Sequence, residues 1–340
     1  MAEWIELGGS DAEIGSQYGR QAGDLIRQSI AVYQEFLGSA PEDVMPLIQS
    51  KAAQFESEIR HLTPHLATQI DAIADAADVN REWLYIVNAR SEIFSSLVPE
   101  CTAIYSPESA YLAQNWDYMP ELQDLTVLLR IELENGRKLI TLTEAGMVGK
   151  IGLNDAGIGV CLNMLIARSD DVGLPIHLLL RWLLEAGNKA ELEERIDAAG
   201  TKRIGNILIG TPDGSGINLE YSNAGLRRDD LTDRNFAHTN HELVVETGDA
   251  EFVQNSLTRL AQANEIANSH ASLDADTIDY MLSNRSNPEH PIHVPHRTMN
   301  GMTFGTLYSV IMDLKKREIR VRKGQDPAAA YQSFSLQEPL

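Results

Sequence analysis

Apolar residues recur every four positions near the start of the chain. Behind Ser10, a candidate helix N-cap followed by acidic residues, they are Ile14, Tyr18, Ala22, Ile26 and Ile30. This spacing places them on one face of an α-helix. Further apolar faces follow in the windows 44–59, 66–77 and 83–94. The pattern therefore predicts that residues 10–98 are nearly all helical.

The pattern changes at Pro99, where short stretches rich in apolar residues begin. They predict strands at 102–105, 110–116, 126–133, 139–143, 148–153 and 158–164. Turn sequences separate them, among them Glu134-Asn135-Gly136 and Asn154-Asp155-Ala156-Gly157. Because consecutive short strands are joined by tight turns, we expect an antiparallel meander.

Helices and strands then follow in groups to the end of the chain. The predicted helices are 175–186, 189–199, 252–267 and 275–282, and the predicted strands are 206–210, 216–221, 236–239, 304–313 and 318–322. Grouped strands and grouped helices favour the α+β class, with helices packed on sheets. A length of 340 residues suits one large compact unit.

Charge and cysteine content limit the function classes. The chain has 49 acidic and 28 basic side chains and a net charge of −21, which disfavours binding to nucleic acid. The N-terminus lacks the features of a signal peptide, and no apolar stretch is long enough to span a bilayer, so we expect a cytoplasmic, soluble protein. The two cysteines, Cys101 and Cys161, are too few for a disulfide framework, and free thiols are expected in a reducing compartment.

Cys101 lies where the predicted helical segment ends and the first predicted strand begins. Pro99 favours an extended backbone ahead of it, and such a junction can present a backbone carbonyl to a side chain. A cysteine is more often a small buried apolar residue, and Cys161, in an alternating apolar strand, fits that description. Asp117 ends the strand that would form a hairpin with the one after Cys101. Its carboxylate could therefore accept hydrogen bonds from a free α-amino group.

Six short motifs occur in order along nearly the whole chain. They are Ile14-Gly15-Ser16-Gln17-Tyr18-Gly19, Asn88-Ala89-Arg90-Ser91-Glu92, Cys101-Thr102-Ala103, Gln114-Asn115-Trp116-Asp117, Gly152-Leu153-Asn154-Asp155-Ala156-Gly157 and His238-Thr239-Asn240-His241. Together they resemble the acyl-coenzyme A:6-aminopenicillanate acyltransferase family of the N-terminal nucleophile hydrolases. The resemblance implies a four-layered αββα core over residues 101–340. It also implies that a helical segment, residues 1–100, stays associated after the chain cuts itself between Glu100 and Cys101.

The resemblance implies catalytic roles for particular residues. Cys101 would be the nucleophile and, through its freed α-amino group, the general base, while Asp117 would orient that amine. The side-chain amide of Asn240 and the backbone N–H of Asn154 would stabilise an oxyanion. Arg259 would lie near the nucleophile, as in the related bile-salt and penicillin V hydrolases.

These roles imply an acyl-transfer reaction through a thioester. The Cys101 thiolate would take the acyl group of a small amide and pass it to water or an amine. We therefore expect a self-processing amidohydrolase or acyltransferase that needs no metal or cofactor. Acyl-coenzyme A is an alternative acyl donor, and a homo-oligomer is compatible with the sequence. Arg297 is an alternative to Arg259 as the arginine of the site.

Two other functions stay open on the sequence. His290, His293 and His296 are spaced by three, as in a metal-dependent hydrolase, although Pro291 and Pro295 interrupt the helix that would align them and no acidic ligand motif accompanies them. The other alternative is an uncut, non-catalytic homologue that only binds an acyl amide. If these residues have no role in a reaction, Asn154 and Asn240 are turn or loop amides and Arg259 is a surface or ion-pairing residue.

Overall fold

The computed structural model describes residues 2–38, 44–94, 101–165, 171–244, 250–299 and 302–337. Pro99 and Glu100 lie outside these ranges, so the bond at which self-cleavage is expected is not described. Among the described residues, no helix is both long enough and apolar enough to cross a membrane.

The first part of the chain forms a strand and five helices. They are β1 Glu3–Gly9, α1 Asp11–Gly38, α2 Val44–Leu62, α3 Pro64–Ala77, α4 Arg81–Asn88 and α5 Arg90–Ile93. The predicted helices are confirmed, and the apolar face that begins at Ile14 is buried. The prediction of an almost wholly helical segment missed β1, which belongs to a sheet built mainly from the second part of the chain.

The second part of the chain alternates groups of strands and helices. In order it contains β2 Thr102–Ser106, β3 Tyr111–Tyr118, a 3₁₀ helix Pro120–Leu125, β4 Thr126–Leu133, β5 Lys138–Glu144, β6 Ile151–Asn154, β7 Gly159–Asn163, α6 Ile176–Leu183, α7 Lys189–Ala199, β8 Gly205–Gly210, β9 Gly216–Ser222, β10 Gly225–Leu231, β11 Phe236–His238, α8 Glu251–Asn268, α9 Ala275–Leu282, β12 Arg297–Met299, β13 Met302–Asp313, β14 Glu318–Lys323 and β15 Gln332–Ser335. The α+β class is confirmed.

The strands form two sheets. The first has the order β1-β4-β5-β6-β7-β8-β9-β10, in which β1 runs parallel to β4 and the other neighbours are antiparallel. The second has the order β11-β2-β3-β13-β14-β15, with β12 paired to β13. The predicted meander is right from β4 to β7, but β2 and β3 form a hairpin in the second sheet.

The sheets pack face to face between layers of helices. Across the interface, the Gln114 side chain on β3 bonds both the backbone N–H and the carbonyl of Leu162 on β7. Gly216 is required at this interface, since a Cβ there would lie 2.2 Å from the Tyr105 ring. Helices α8 and α9 cover the outer face of the second sheet through an apolar cluster that includes Ile104 and Ile278. Helix α6 packs on β7 of the first sheet, which completes the expected αββα layering.

Glycines in the first motif let α1 pack closely on α3. A Cβ at Gly15 would lie 2.4 Å from the carbonyl oxygen of Gln69, and one at Gly19 would lie 2.6 Å from that of Ile73. Only glycine permits such a close approach of two backbones. This motif therefore has a structural explanation that is independent of the reaction.

Candidate active site

Cys101 immediately precedes β2, and its side chain is buried between the two sheets. The residue is 4% exposed, and its Sγ donates a weak hydrogen bond to the carbonyl oxygen of Asp117 at 3.8 Å. Burial raises the pKa of the Cys101 thiol to about 11; the Asp117 carboxylate also raises it, whereas Lys150 and Arg259 lower it. At neutral pH the thiol therefore keeps its proton until a base removes it.

Asp117 reaches this position through the β2–β3 hairpin. The β2–β3 ladder pairs Thr102 with Asn115. Cys101 is the residue before Thr102, and Asp117 is the second residue after Asn115, so the two lie close together at this end of the hairpin. On its other side, Asp117 is paired with Thr306 of β13, and its side chain is fully buried. The predicted hairpin is confirmed, and the carboxylate lies close enough to influence the thiol electrostatically.

Arg259, on α8, connects the start of β2 to the loop that carries Asn240. One of its terminal nitrogens donates to the carbonyl oxygen of Cys101 at 2.8 Å and to Thr102 Oγ1 at 2.9 Å. The other donates to Asn240 Oδ1 at 2.8 Å, and Nε donates to Asn255 Oδ1 at 2.7 Å. The guanidinium is 1% exposed. Arg259 is thus a buried link between two of the predicted site residues.

The alternative arginine has different surroundings. Arg297 lies on β12, is partly exposed, and donates to the carbonyl oxygen of Glu289 at 2.7 Å. Of the two candidates, the structure brings Arg259 against Cys101.

Asn240 follows β11, and both the oxygen and the nitrogen of its side-chain amide are hydrogen-bonded. Its Oδ1 accepts from Arg259, and its Nδ2 donates to the carbonyl oxygen of Met164 at 2.9 Å. Because the amide nitrogen carries two N–H groups, this bond accounts for one donor. The backbone N–H of Asn240 donates to Ser256 Oγ at 2.7 Å, which fixes the loop to α8.

Two buried histidines flank Asn240: His238 ends β11, and His241 lies in the loop that follows it. His241 Nδ1 lies 2.7 Å from Ser256 Oγ, and burial lowers the pKa of His241 to about 4. His238 Nε2 lies 2.9 Å from a carboxylate oxygen of Glu220. Hence the His-Thr-Asn-His motif positions Asn240 through polar contacts on each side.

Asn154 does not fit the oxyanion role that the resemblance implied. Its backbone N–H donates to the carbonyl oxygen of Ile158 at 3.0 Å, so the expected donor is already used inside the β6–β7 turn. Its side-chain amide donates to the carbonyl oxygens of Leu184 and Ala186 at 2.8 and 2.7 Å. Asn154 therefore fastens the turn to the end of α6, which is a structural role.

Asn163, at the end of β7, lies beside the end of β11, next to the loop that carries Asn240. Its buried side chain donates to the carbonyl oxygen of His238 at 3.3 Å, and the next residue, Met164, accepts from the Asn240 amide. A polar residue in an otherwise apolar strand was the signal that could have identified it. The end of β7 thus forms the wall of the site beside Asn240.

A second group that the sequence did not reveal surrounds Glu144. Arg90 Nη2 and Lys150 Nζ lie 2.5 and 3.4 Å from Glu144 Oε1, and the Tyr33 hydroxyl donates to Oε2 at 2.5 Å. The Lys150 ammonium also lies 3.6 Å from the centroid of the Trp116 ring. Burial and Arg90 lower the pKa of Lys150 to about 7, against the opposing effect of Glu144.

The three spaced histidines do not converge on a common point. His293 Nδ1 lies 2.9 Å from an Arg285 nitrogen, whereas His290 Nδ1 lies 3.3 Å from the Asn255 amide. His296 is exposed and packs on Gly305. Within the ranges that the structure describes, no three His, Cys, Asp or Glu side chains are grouped so as to hold a metal ion. Pro291 and Pro295 interrupt the helix that would align the three histidines, which explains why their regular spacing does not bring them together. The described residues therefore do not support the metal site considered from the sequence.

Comparison with known proteins identifies the family. The family model described as "Acyl-coenzyme A:6-aminopenicillanic acid acyl-transferase" matches residues 104–328, which is more than half of the chain. The chain therefore belongs to this family, a family of acyltransferases and amide hydrolases. One relative, the 40 kDa form of acyl-coenzyme A:6-aminopenicillanic-acid-acyltransferase from Emericella nidulans, is 24% identical over 326 residues, covering 93% of this chain and 91% of the relative.

Two solved structures are also similar to this chain. A mutant of conjugated bile acid hydrolase from Clostridium perfringens has a TM-score of 0.48 at 12% identity, over 71% of this chain and 93% of the other. Penicillin V acylase from Agrobacterium tumefaciens has a TM-score of 0.43 at 12% identity, over 70% and 86% of the two chains.

Proposed function

We propose that this protein is a self-processing amidohydrolase or acyltransferase whose nucleophile is Cys101. The observation that carries the proposal is the bridging position of Arg259. A single buried guanidinium binds the Cys101 carbonyl and the Asn240 side chain, so it joins a thiol and an amide donor in one site. Asp117 supplies a buried carboxylate beside the same thiol.

Self-processing would expose Cys101 as a new N-terminus. The thiolate adds to the carbonyl carbon of Glu100, and a thioester forms as the bond from that carbon to the Cys101 nitrogen breaks and the nitrogen takes a proton. Water then hydrolyses the thioester, which leaves a carboxyl group on Glu100 and restores the thiol. The freed α-amine has a reference pKa of about 7.7 to 8, so it can take the thiol proton near neutral pH. Asp117 would hold this amine in place.

Turnover would use the same atoms on an external amide. The thiolate attacks the amide carbonyl, and the Asn240 amide donates to the oxyanion that forms. The amine leaves with a proton, and the resulting thioester passes its acyl group to water or to an acceptor amine. The substrate class is a small acyl amide, with acyl-coenzyme A as an alternative donor.

Trapping the acyl-enzyme tests this proposal. The protein is incubated with a panel of small N-acyl amides, quenched in acid, and digested, and the cysteine-containing peptides are weighed by mass spectrometry. We expect one amide to add its acyl mass to the Cys101 peptide and hydroxylamine to remove it. Cys161→Ala is the matched control and should keep the adduct, because Cys161 lies fully buried in β7. Turnover by Cys101→Ala would contradict the proposal.

A further inference from the structure

The loop that carries Asn240 is held at both of its ends by one carboxylate. Glu220, on β9 of the first sheet, is 2% exposed. Its Oε2 lies 2.9 Å from Nε2 of His238, the residue that ends β11 in the second sheet. The same oxygen accepts the backbone N–H of Leu243, on the far side of the loop, at 2.9 Å. Glu220 therefore fastens the entry and the exit of this loop to the opposite sheet.

The middle of the loop is held by α8 instead. Ser256 Oγ accepts the backbone N–H of Asn240 at 2.7 Å, and Arg259 donates to the Asn240 side chain at 2.8 Å. These contacts act on Asn240 itself, whereas Glu220 fixes the path of the chain into and out of the loop. An amide donor is aimed at an oxyanion only when the backbone that carries it is also fixed.

The contacts of His238 define the protonation of its ring. Nδ1 lies 2.8 Å from the carbonyl oxygen of Thr239, and a carbonyl only accepts, so Nδ1 carries a proton. Nε2 and Glu220 Oε2 need a second proton between them, since two lone pairs would repel each other at 2.9 Å. Because a carboxylic acid is a stronger acid than an imidazolium, this proton belongs on the ring. The buried pair is therefore a carboxylate and an imidazolium.

An uncharged side chain of the same shape cannot replace this carboxylate. If a glutamine at position 220 turned its oxygen toward His238 and Leu243, it would leave a buried imidazolium without a counter-charge. If it turned its NH₂ group toward a neutral ring, that group would meet the Leu243 N–H, and two donors would face each other. Glu220→Gln therefore keeps the volume of the side chain and loses part of the clamp.

We propose that the ion pair between Glu220 and His238 positions Asn240 for the oxyanion of turnover. The inference rests on the proposed function, because it requires Asn240 to be the side-chain donor. Both members of the pair are positioning residues that act through the loop. Loss of the pair releases the ends of the loop and misplaces the Asn240 amide. Because the oxyanion develops only as the thiolate attacks, the effect falls on kcat and leaves KM nearly unchanged.

A double-mutant cycle with Asn240 tests this role. Turnover of the best amide of the trapping panel is measured for wild-type, Glu220→Gln, Asn240→Ala and the double variant, each normalised to its cut fraction. Glu220→Gln should lower kcat roughly ten- to a hundredfold, the effect of a donor misplaced by about 1 Å, and change KM less than about threefold. In the Asn240→Ala background the same change should alter kcat less than about twofold, since the donor is already absent.

Glu185→Gln is the matched control. Glu185 is another buried carboxylate, 7% exposed, and its Oε2 lies 2.9 Å from Nε2 of His65. It lies on α6 and its histidine on α3, so the pair has no contact with the Asn240 loop among the described contacts. Its loss should reduce stability in a urea titration and change kcat less than about threefold.

A second measurement examines the ion pair without relying on activity. Nitrogen NMR of wild-type protein with isotope-labelled histidine is recorded at neutral pH, and the signal that disappears in His238→Gln identifies the ring. The chemical shifts should show a proton on both ring nitrogens of His238.

The outcomes separate this inference from the proposed function. A fall in kcat for Glu220→Gln that vanishes in the Asn240→Ala background, with a doubly protonated His238 ring, supports the inference. Wild-type kcat in Glu220→Gln, an equal loss in both backgrounds, or a singly protonated ring overturns it while turnover at Cys101 stands. A wild-type protein that turns over no amide contradicts the proposed function itself, and the inference with it. Should Glu220→Gln not fold, as judged by circular dichroism, the protonation of the His238 ring decides.

Discussion

Replacing Arg259 by methionine removes the guanidinium that joins Cys101 to Asn240. In the wild-type protein this group donates four hydrogen bonds of 2.7 to 2.9 Å, to the Cys101 carbonyl, Thr102, Asn240 and Asn255. Methionine is of similar length but has no donor. The change therefore leaves buried acceptors without their partner and creates little empty space.

The expected magnitudes follow from these contacts. A buried acceptor that loses its donor costs about 1 to 3 kcal/mol, and part of the total is recovered because no guanidinium has to be desolvated. We expect the free energy of unfolding to fall by about 2 to 4 kcal/mol. The Asn240 amide, released on its Oδ1 side, should no longer point at the oxyanion. Misplacing such a donor should lower kcat roughly a hundredfold, with a smaller change in KM.

Urea unfolding followed by circular dichroism measures the stability, and release of the amine from the best amide of the trapping panel measures kcat. Activity is normalised to the cut fraction from intact mass, so that slower maturation is not counted as slower turnover. Arg297→Met is the matched control and should change kcat less than threefold. If Arg259→Met keeps wild-type kcat and stability while Arg297→Met loses kcat, the bridging role of Arg259 is refuted.

Three further changes test separate parts of the site. Asn240→Ala should fold and be cut, but its kcat should be roughly a hundredfold lower, and unchanged kcat would remove Asn240 from the oxyanion site. Asn154→Ala should lower the free energy of unfolding by about 1 to 3 kcal/mol with kcat nearly intact, because its bonds hold a turn; a fall in kcat as large as that of Asn240→Ala would restore its catalytic role. Glu144→Ala should cost about 3 to 5 kcal/mol, since it leaves Arg90 buried without its carboxylate, whereas Glu132→Ala on the surface should cost less than about 1 kcal/mol in the same urea titration. Equal costs would mean that the buried pair is not a stabilising contact.

Local periodicity predicted most of the secondary structure, and the exceptions have physical causes. Lys189–Ala199, Ala275–Leu282 and Thr126–Leu133 occur with the predicted bounds. Four of the strands in the described residues were missed, namely β1, β10, β12 and β15. The parallel partner of β1, β4, lies more than a hundred residues further on, and β10 is largely charged with a low strand propensity. All four have a strand on one side only, so their existence depends on pairing across the fold.

The sequence could predict which residues meet in the candidate site only where they are close in the chain or belong to a long motif. The hairpin between Cys101 and Asp117 spans few residues, so turn signals sufficed to pair its strands. Asn154 was misassigned because an asparagine that caps a turn and one that serves an oxyanion look alike in sequence. Lys150 was missed because an isolated lysine after a glycine looks solvated. Its burial comes from Arg90 and Trp116, which reach it from distant parts of the chain.

Intact-mass spectrometry of denatured wild-type protein and of Cys101→Ala tests self-processing directly. Self-processing at Cys101 predicts two wild-type fragments that meet between Glu100 and Cys101, and a single uncut chain for the variant. A wild-type chain that remains whole, or a Cys101→Ala chain cut at the same bond, would contradict it. An uncut wild-type chain would favour a homologue that binds an acyl amide without turning it over.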